Sequence, residues 1–392
     1  MYLIENDNNL IDNYEVDENL INYYENDENL FDDYENEEIV PIPKEKRHLR
    51  TQSYDKSVND LVGMMRDGRI ILTPEYQRNY VWDNKKASLL IESILLNIPI
   101  PVIYAAREPN ECLSWNIVDG LQRLNALKRF YNNEFSLVGL EILSELNGKK
   151  YNTLNMRTKS YLDDANLRIV LLFEDSHPDI KYDIFMRLNT GSVKLKPQEL
   201  RNCLYRGSFN ESLKEMVRDP KILNIMNLKE PHKRMDDVEL ILRYIAISEN
   251  FDKEKNLLSN YNGVMKSFLN DYMHNNQNMS KENIENIKKK VITTVKKVFN
   301  IFGRKAFRRI DENSSNSTRI NLSLMDVIMI SFEDYTEEEL IKNKDKIISL
   351  YKNITTNDES FISLITTGTS SKNSIELRIK KWKDSFRGIM NE

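Results

Sequence analysis

The first half of the chain alternates short apolar runs with amphipathic stretches. Apolar residues recur every three or four positions at 57–68 and at 85–96, which predicts two helices. The apolar runs at 70–72, 102–106 and 114–118 are short and bounded by turn residues, so each predicts a strand. This mixture indicates an α+β domain in this part of the chain.

The second half has helical spacing almost throughout. Strand signals are nearly absent after residue 197, so we expect an all-α helical domain packed as a bundle. Its predicted helices span residues 197–205, 210–217, 235–247, 261–274, 281–302, 323–331, 336–353 and 374–386.

Residues 1–40 differ from the rest of the chain in charge. They contain 14 acidic residues and no lysine or arginine, whereas the remaining 352 residues carry 56 basic and 47 acidic residues. An acidic segment attached to a basic body indicates that the body has a polyanionic partner, such as nucleic acid. We predict three parts: an acidic tail at 1–43, an α+β domain at 44–196 and the helical domain at 197–392.

A ten-residue unit occurs three times in register within the tail. Its copies are NLIDNYEVDE at 9–18, NLINYYENDE at 19–28 and NLFDDYENEE at 29–38. Units this short cannot enclose a core, and dense like charge favours disorder, so one interpretation is a disordered solubilising tail. The alternative is a nucleic-acid mimic that occupies the basic body, or a strip that binds a partner.

Composition and the absence of several known motifs exclude some classes of protein. Two cysteines lie 91 positions apart and four histidines are isolated, so no zinc or histidine metal site is expected. No apolar run approaches the roughly 18 residues of a membrane span, and the N-terminus lacks signal-peptide features. We expect a cytoplasmic protein without a membrane partner. Walker A, H-E-x-x-H, G-x-S-x-G and C-x-x-C motifs are also missing, which removes the common enzyme classes that use them.

The strand predicted at 114–118 is followed by Asp119-Gly120-Leu121-Gln122-Arg123 and then by a helix. A strand that turns into a helix at a glycine presents backbone N–H groups at the positive helix end, which favours phosphate. An arginine in the first turn can bind the same phosphate through two parallel hydrogen bonds. The same residues also fit an ordinary turn in which the aspartate caps the helix.

Several motifs in a fixed order resemble one protein family. P-x-YQR-x-YVW at 74–82 precedes VDG-x-QR-L at 118–124. F-x-R-x-N-T-G follows at 185–191, L-x-x-x-E-L-R-N at 195–202 and T-x-G-T-S-S at 366–371. Together these motifs resemble GmrSD-type modification-dependent restriction proteins, whose N-terminal domain has a ParB/sulfiredoxin-like fold.

The resemblance covers about residues 55–385 and implies a role in bacterial defence against phage DNA. It places nucleoside-triphosphate binding and hydrolysis at the DGxQR motif, with Asp119, Gln122 and Arg123 as catalytic residues. A carboxylate does not itself favour a phosphate, so Asp119 in such a site would hold Mg²⁺, orient the arginine or contact a ribose hydroxyl. The cofactor-binding candidates that accompany them are Tyr76, Gln77, Arg78, Gly120, Arg187 and Asn189.

Two departures from the family pattern matter. The usual first glutamine of the motif is Leu121 here, which removes an amide that could position an attacking water. The sequence therefore supports nucleotide binding more firmly than hydrolysis. No histidine follows His274, so a self-contained His-Asn-His nuclease is not expected.

The helical half also contains a dense basic run. Ten basic residues and only two acidic ones lie between 281 and 309, and a second basic cluster surrounds Trp382. Such a run is either a solvated helix face or a surface that contacts the DNA backbone without reading its sequence. The candidate nucleic-acid-binding residues are Lys288, Lys289, Lys290, Lys296, Lys297, Arg304, Lys305, Arg308 and Arg309.

The primary hypothesis is a cytoplasmic anti-phage defence protein that binds a nucleoside triphosphate, with hydrolysis as a second step, and engages DNA or an effector protein encoded nearby. One rival is a non-catalytic DNA-binding or sensor module that uses the same pocket for a DNA phosphate. A ParB-like DNA nickase is the third hypothesis, although no nucleophile or metal cluster stands out in the sequence.

Overall fold

The computed structural model describes residues 30–31, 49–72, 82–107, 114–173, 176–188, 196–309 and 319–391. The chain divides into two compact units. The sheet unit comprises the described residues of Val40–Asn210 together with Asn270–Gln277. The helical unit comprises Glu211–Leu269, the described residues of Asn278–Glu392, and Leu30 and Phe31 from the tail.

A mixed five-stranded sheet forms the centre of the sheet unit. Strand β1 (Thr51–Ser57) pairs antiparallel with β5 (Asn166–Leu172), and β5 pairs parallel with β3 (Ile103–Arg107). On its other side β3 is antiparallel to β4 (Trp115–Asp119). The two-residue strand β2 (Ile70–Ile71) lies parallel to β4 at the edge of the sheet.

Amphipathic helices cover this sheet. The apolar faces of the first three helices are fully buried, as Leu61, Ile91 and Leu127 show with no exposed surface. Burying an aliphatic side chain of this size stabilises the fold by roughly 1.5–3 kcal/mol, so these faces hold the helices on the sheet. The helices are α1 (Val58–Arg66), α2 (Asn84–Leu95), α3 (Leu121–Tyr131), α4 (Met156–Asp164), α5 (Pro178–Leu188) and α6 (Pro197–Leu204).

The fold class predicted from the sequence, an α+β domain followed by helices, is confirmed. The strands and helices predicted between 57 and 118 appear within about two residues of their expected ends. Strands β1 and β5 were not predicted. The sequence of β1, TQSYDKS, is polar and largely exposed, so only its pairing with β5 makes it a strand.

The compact sheet unit extends to Asn210, whereas the sequence pattern placed a boundary at 196. Leu200 of α6 is fully buried beside Val118 and Leu172 of the sheet. The side-chain amide of Asn116 in β4 donates a hydrogen bond to the backbone carbonyl of Cys203. The apolar stripe of α6 reveals that the helix is amphipathic, but not which partner covers it.

The helical unit contains the longest helix among the described residues, α11 (Lys281–Phe302), together with the central helix α12 (Leu322–Phe332), all of whose side chains are buried. Along the chain, helices α7 (Ser208–Met216) and α10 (Met265–Asn275) each continue from one unit into the other. The helices are α7 (Ser208–Met216), α8 (Pro220–Met226), α9 (Asp236–Asn250), α10 (Met265–Asn275), α11 (Lys281–Phe302), α12 (Leu322–Phe332), α13 (Glu337–Lys342), α14 (Lys344–Thr356), α15 (Glu359–Thr366) and α16 (Lys372–Met390).

Three details of the helical unit differ from the sequence prediction. The helix expected at 336–353 is divided at Asn343 into α13 and α14. Helices α8 and α15 were not predicted, because each has only seven or eight residues and too few turns for a clear periodicity. Two short antiparallel strands, Phe251–Asp252 and Leu257–Leu258, also form a hairpin between α9 and α10.

The acidic tail is described only at Leu30 and Phe31, and both residues are buried. The disorder predicted for residues 1–43 otherwise concerns positions that lie outside the described residues.

Candidate functional site

The DGxQR motif lies where β4 becomes α3. Strand β4 ends at Asp119, Gly120 takes a left-handed conformation with φ of 96°, and α3 begins at Leu121. A Cβ at residue 120 would lie 2.9 Å from Cγ1 of Ile103. Both the positive φ and the close approach require glycine here, so the chain can make this sharp turn only with Gly120 in place.

The N-cap position of α3 is a glycine. Gly120 has no side chain to cap the helix. The first backbone N–H groups of a helix have no partner within the helix and carry a partial positive charge. The turn therefore has the geometry predicted from the sequence for an anion-binding helix end.

The guanidinium of Arg123 is held by Asp119 and by the chain before β3. Its Nη2 lies 2.6 Å from Oδ2 of Asp119 and donates to the carbonyl of Val102 at 3.4 Å, while Nη1 donates to the carbonyl of Pro101. The side chain of Arg123 is 11% exposed and that of Asp119 is 43% exposed. Asp119 thus orients the arginine, one of the roles the sequence left open for it.

Burial and pairing act on Arg123 in opposite directions. Burial lowers the pKa of Arg123 below its ordinary value, and the adjacent Asp119 carboxylate acts against that shift. A guanidinium remains charged even when its pKa falls somewhat, so Arg123 keeps its positive charge at any physiological pH.

A cleft of about 580 Å³ opens beside Arg123, which is within the usual size of small-molecule sites. One wall is a face of α2, where Lys86, Leu89 and Ser93 recur at helical spacing. The opposite side includes Arg123 and the turn before β3. The residues that line the cleft are Trp82, Lys86, Leu89, Leu90, Ser93, Ile100, Pro101 and Arg123.

Sequence reasoning missed the contribution of α2 to this cleft. Lys86 is exposed and Trp82 is half-buried, so an aromatic ring and a second cation accompany Arg123. The available signal was Leu89, a large apolar residue on the otherwise polar face of an amphipathic helix, which is 36% exposed. An aromatic ring and cations around one cleft suit a ligand with a flat ring and phosphates.

The remaining motif residues are only partly placed. Gln122 lies in the first turn of α3, and Leu121 is a buried core residue with 5% exposure. Arg187 is exposed near the end of α5 and does not line the described cleft. The predictions for Tyr76, Gln77, Arg78 and Asn189 fall outside the described residues.

The part of the chain that the structure describes contains no preformed cluster of metal-binding side chains. No group of three or more histidine, cysteine, aspartate or glutamate side chains is close enough there to hold a metal ion. The candidate ligand Asp119 instead forms an ion pair with Arg123. Mg²⁺ commonly binds through one or two carboxylates plus substrate phosphates, so this arrangement fits Mg²⁺ that arrives with a nucleotide.

Part of the basic run in the helical unit has structural partners. Lys290 pairs with Glu333 at 3.2 Å and Lys296 with Glu337 at 2.9 Å. Lys297 donates to the carbonyls of Phe332 and Tyr335. These contacts hold α11 against the end of α12, so they stabilise the fold as well as carrying charge.

Arg308, in the same run, is only 2% exposed. Its guanidinium donates to the backbone carbonyls of Arg304 and Ala306 at 2.9 and 2.8 Å. This burial leaves no surface of Arg308 for a DNA phosphate, in contrast to the role expected from the sequence. The physical reason is that its position in the chain turn after α11 directs the side chain inward.

The other basic candidates are more accessible. Lys289, Arg304 and Lys305 are exposed, whereas Lys288 and Arg309 are half-buried. The accessible part of the predicted nucleic-acid surface is therefore smaller than the sequence run suggests.

The T-x-G-T-S-S motif has a structural role in the helical unit. The carbonyl of Thr369 accepts a hydrogen bond from Arg378, and the hydroxyl of Tyr261 donates to the carbonyl of Ser370. Ser371 caps α16 by accepting from the N–H of Ser374 at 3.0 Å. Trp382, at the centre of the second basic cluster, is fully buried, so this cluster surrounds a core residue.

Comparison with known proteins identifies the sheet unit. The fold and the site together define a class of protein. It is an α+β domain in which a left-handed glycine joins a strand to a helix and an arginine lies beside a cleft. Residues 58–206 match the family model described as GmrSD restriction endonuclease, N-terminal domain. The match confirms the family resemblance predicted from the motifs, and the matched segment contains the whole cleft.

No curated protein and no solved structure matched the chain. Among the described helices, none is long and apolar enough to cross a membrane.

Proposed function

We propose that the chain is a restriction-type protein of anti-phage defence whose GmrSD N-terminal domain binds a nucleoside triphosphate in the cleft beside Arg123. The observation that supports this most strongly is the convergence of Trp82, Lys86 and Arg123 on one cleft, with Arg123 in the first turn of α3. Trp82 offers a face for a base, and the two cations offer charge for phosphates.

Arg123 changes partner when the nucleotide binds. In the described state its guanidinium is paired with Asp119, which is the more exposed of the two side chains. An incoming phosphate competes with this carboxylate for the arginine. Because the carboxylate would then repel the phosphate, Asp119 would hold Mg²⁺, which would supply compensating positive charge. Binding is accordingly expected to depend on Mg²⁺.

Hydrolysis is the less supported part of the proposal. Leu121 packs in the core at 5% exposure, so this position cannot orient a water molecule. Gln122 is the polar residue of the first turn that remains for that role. We therefore expect nucleotide binding with slow hydrolysis.

Nucleotide binding can be tested by calorimetry with ATP, GTP, CTP and UTP, each with Mg²⁺. We expect saturable binding by the wild type and loss of binding in Arg123→Ala. Arg168→Ala is a matched control, because Arg168 also pairs with an aspartate in the same unit, at 2.8 Å from Asp55, but does not line the cleft. Absence of heat with every nucleotide, in folded protein, would contradict the proposal.

DNA binding through the exposed residues of the basic run predicts a different pattern. Binding of duplex DNA would fall steeply as salt rises, and would respond to Lys289→Ala and Lys305→Ala. Binding that is insensitive to these lysines but lost in Arg123→Ala would place the DNA phosphate in the cleft instead. Both experiments use the full chain.

A further inference from the structure

Two residues of the acidic tail are seated in the helical unit by backbone hydrogen bonds. The N–H of Leu30 donates to Oδ2 of Asp236 at 3.0 Å, and the carbonyl of Leu30 accepts from the N–H of Ile320 at 3.2 Å. Phe31 forms a parallel β-bridge with Ile320. Leu30 is 2% exposed and Phe31 is 8% exposed, so the side chains are removed from water together with the backbone.

The residues that receive the tail are themselves fixed in the core. Asp236 is the first residue of α9 and is 3% exposed, and Ile320 is fully buried. The next residue, Asn321, accepts from the N–H of Leu324 at 2.9 Å and so caps α12, while its own N–H donates to the carbonyl of Phe307. A buried carboxylate is stable only when hydrogen-bond donors surround it. The N–H of Leu30 is one of the donors to the Asp236 carboxylate.

The features used in this contact occur in all three tail repeats. Each repeat contains Asn-Leu at its first two positions, followed by Ile11, Ile21 or Phe31. The two backbone hydrogen bonds do not depend on the side chain, and the buried leucine is the same in every copy. Of these three positions only the third differs: it is isoleucine in the first two repeats and phenylalanine in the third.

We propose that this part of the helical unit, formed around Asp236 and Ile320, is a receptor for the ten-residue repeat of the chain's own tail. The repeats at 9–18 and 19–28 bind it when the third repeat is absent or displaced. Three tethered copies raise the effective concentration of the ligand, so occupancy survives the loss of any one copy. The first two copies bind more weakly than the third, since isoleucine buries less apolar surface than phenylalanine.

Hydrogen exchange of the Ile320 amide in the full chain tests whether the repeats are interchangeable. Replacing Leu10, Leu20 and Leu30 together by alanine should accelerate exchange of this amide roughly tenfold or more. Leu30→Ala alone should retain most of the protection because the second repeat takes over. The double variant Leu10→Ala with Leu20→Ala is the control and should exchange like the wild type. Equal loss in Leu30→Ala and in the triple variant would overturn the proposal.

A conservative variant keeps the test valid if the triple variant is unstable. Phe31→Ile gives the third repeat the residue of the other two, and protection of Ile320 should persist with a reduction of less than roughly tenfold. Complete loss of protection in this variant would show that the site requires phenylalanine, and the proposal would fail.

A peptide supplies the direct measurement. Fluorescently labelled NLIDNYEVDE should bind the triple variant saturably and be displaced by unlabelled NLFDDYENEE, whereas a peptide with alanine in place of its leucine should not bind. Lack of binding to a triple variant whose melting profile matches the wild type would contradict the proposal.

Discussion

Both units of this protein contain an arginine–aspartate contact, but the two contacts differ in their surroundings. In the sheet unit, Arg123 lines a cleft and pairs with Asp119, whose side chain is 43% exposed. In the helical unit, Arg243 and Arg378 both pair with Asp326, at 2.7 and 2.5 Å, and all three side chains are at most 2% exposed.

Exposure determines what each contact can do. The buried aspartate pairs with two buried guanidinium groups, and removing its carboxylate would leave their positive charges in the core without this shared partner. The exposed aspartate can be replaced by another anion, because water and ligand reach it. The same pair of residue types therefore supports the fold in one unit and provides a candidate ligand switch in the other.

The largest effect is expected from breaking the buried contact. Asp326→Ala removes the carboxylate with which the buried Arg243 and Arg378 both pair and should lower the free energy of unfolding by about 3–5 kcal/mol. Urea denaturation measures this loss. Asp55→Ala breaks an exposed aspartate–arginine pair and serves as the control, with little change expected. Equal losses in the two variants would contradict the distinction drawn from burial.

The next effect concerns the strand-to-helix turn at Gly120, for which Gly148 is the control. Gly148 has φ of 81° and no atom within 4 Å of the position of an added Cβ, so Gly148→Ala should cost about 1–2 kcal/mol through the left-handed backbone alone. Gly120→Ala adds the 2.9 Å contact with Ile103 and should destabilise the protein further. Thermal denaturation of the two variants separates the contact from the backbone cost. A smaller loss in Gly120→Ala than in Gly148→Ala would show that Ile103 moves aside freely.

A smaller effect is expected when a cation of the cleft is removed. Lys86→Ala should weaken nucleotide binding roughly tenfold, the value of one hydrogen bond to a charged group, and leave the melting temperature unchanged. Calorimetric titration gives the affinity. Lys128→Ala removes an equally exposed lysine from α3 outside the cleft and should bind like the wild type. If both variants bind alike, the cleft is not the nucleotide site.

The smallest effect comes from an ion pair near the surface. A hydrogen bond from Lys381, 2.6 Å away, lowers the pKa of Asp358 from 3.8 to about 2. The folded state thus favours the ionised carboxylate, so its stabilisation is present above pH 3.8 and is lost as pH falls toward 2. The side chains are about one-third exposed, so the contribution should remain below about 1 kcal/mol.

Asp358→Asn provides the measurement of this pH dependence. Asparagine can keep the cap on α15, where Asp358 accepts from the N–H of Phe361, but it cannot titrate. The stability difference between wild type and variant, measured by urea denaturation, should be present at pH 6 and shrink as pH falls below 3.8. A difference that is constant with pH would mean that the ion pair contributes nothing.

Helices with long apolar stripes could be predicted from the sequence because their periodicity is local. Helix α11 begins and ends at the predicted residues, Lys281 and Phe302. Strand β1 could not be predicted in this way. Its residues are polar, and its conformation depends on hydrogen bonds to β5, more than 100 positions away in the sequence.

The candidate site residues likewise divide into those that local sequence could place and those that it could not. The sequence was sufficient to place Asp119, Gly120 and Arg123 at a strand-to-helix turn, because neighbouring residues determine that geometry. It was not sufficient to show that Lys86 lines the same cleft. Within one basic run it also could not distinguish exposed Lys305 from buried Arg308, since burial depends on which distant elements cover each side chain.

The amino-acid sequence by itself determined the family of the N-terminal domain, the α+β and helical division, and the sharp turn at Gly120. Only the tertiary structure decided the distant partners of the charged groups: Arg123 with the carbonyl of Pro101, and Asp236 with the N–H of Leu30. The physical reason is distance along the chain. Backbone conformation follows from adjacent residues, whereas burial and pairing depend on segments that meet only when the chain has folded.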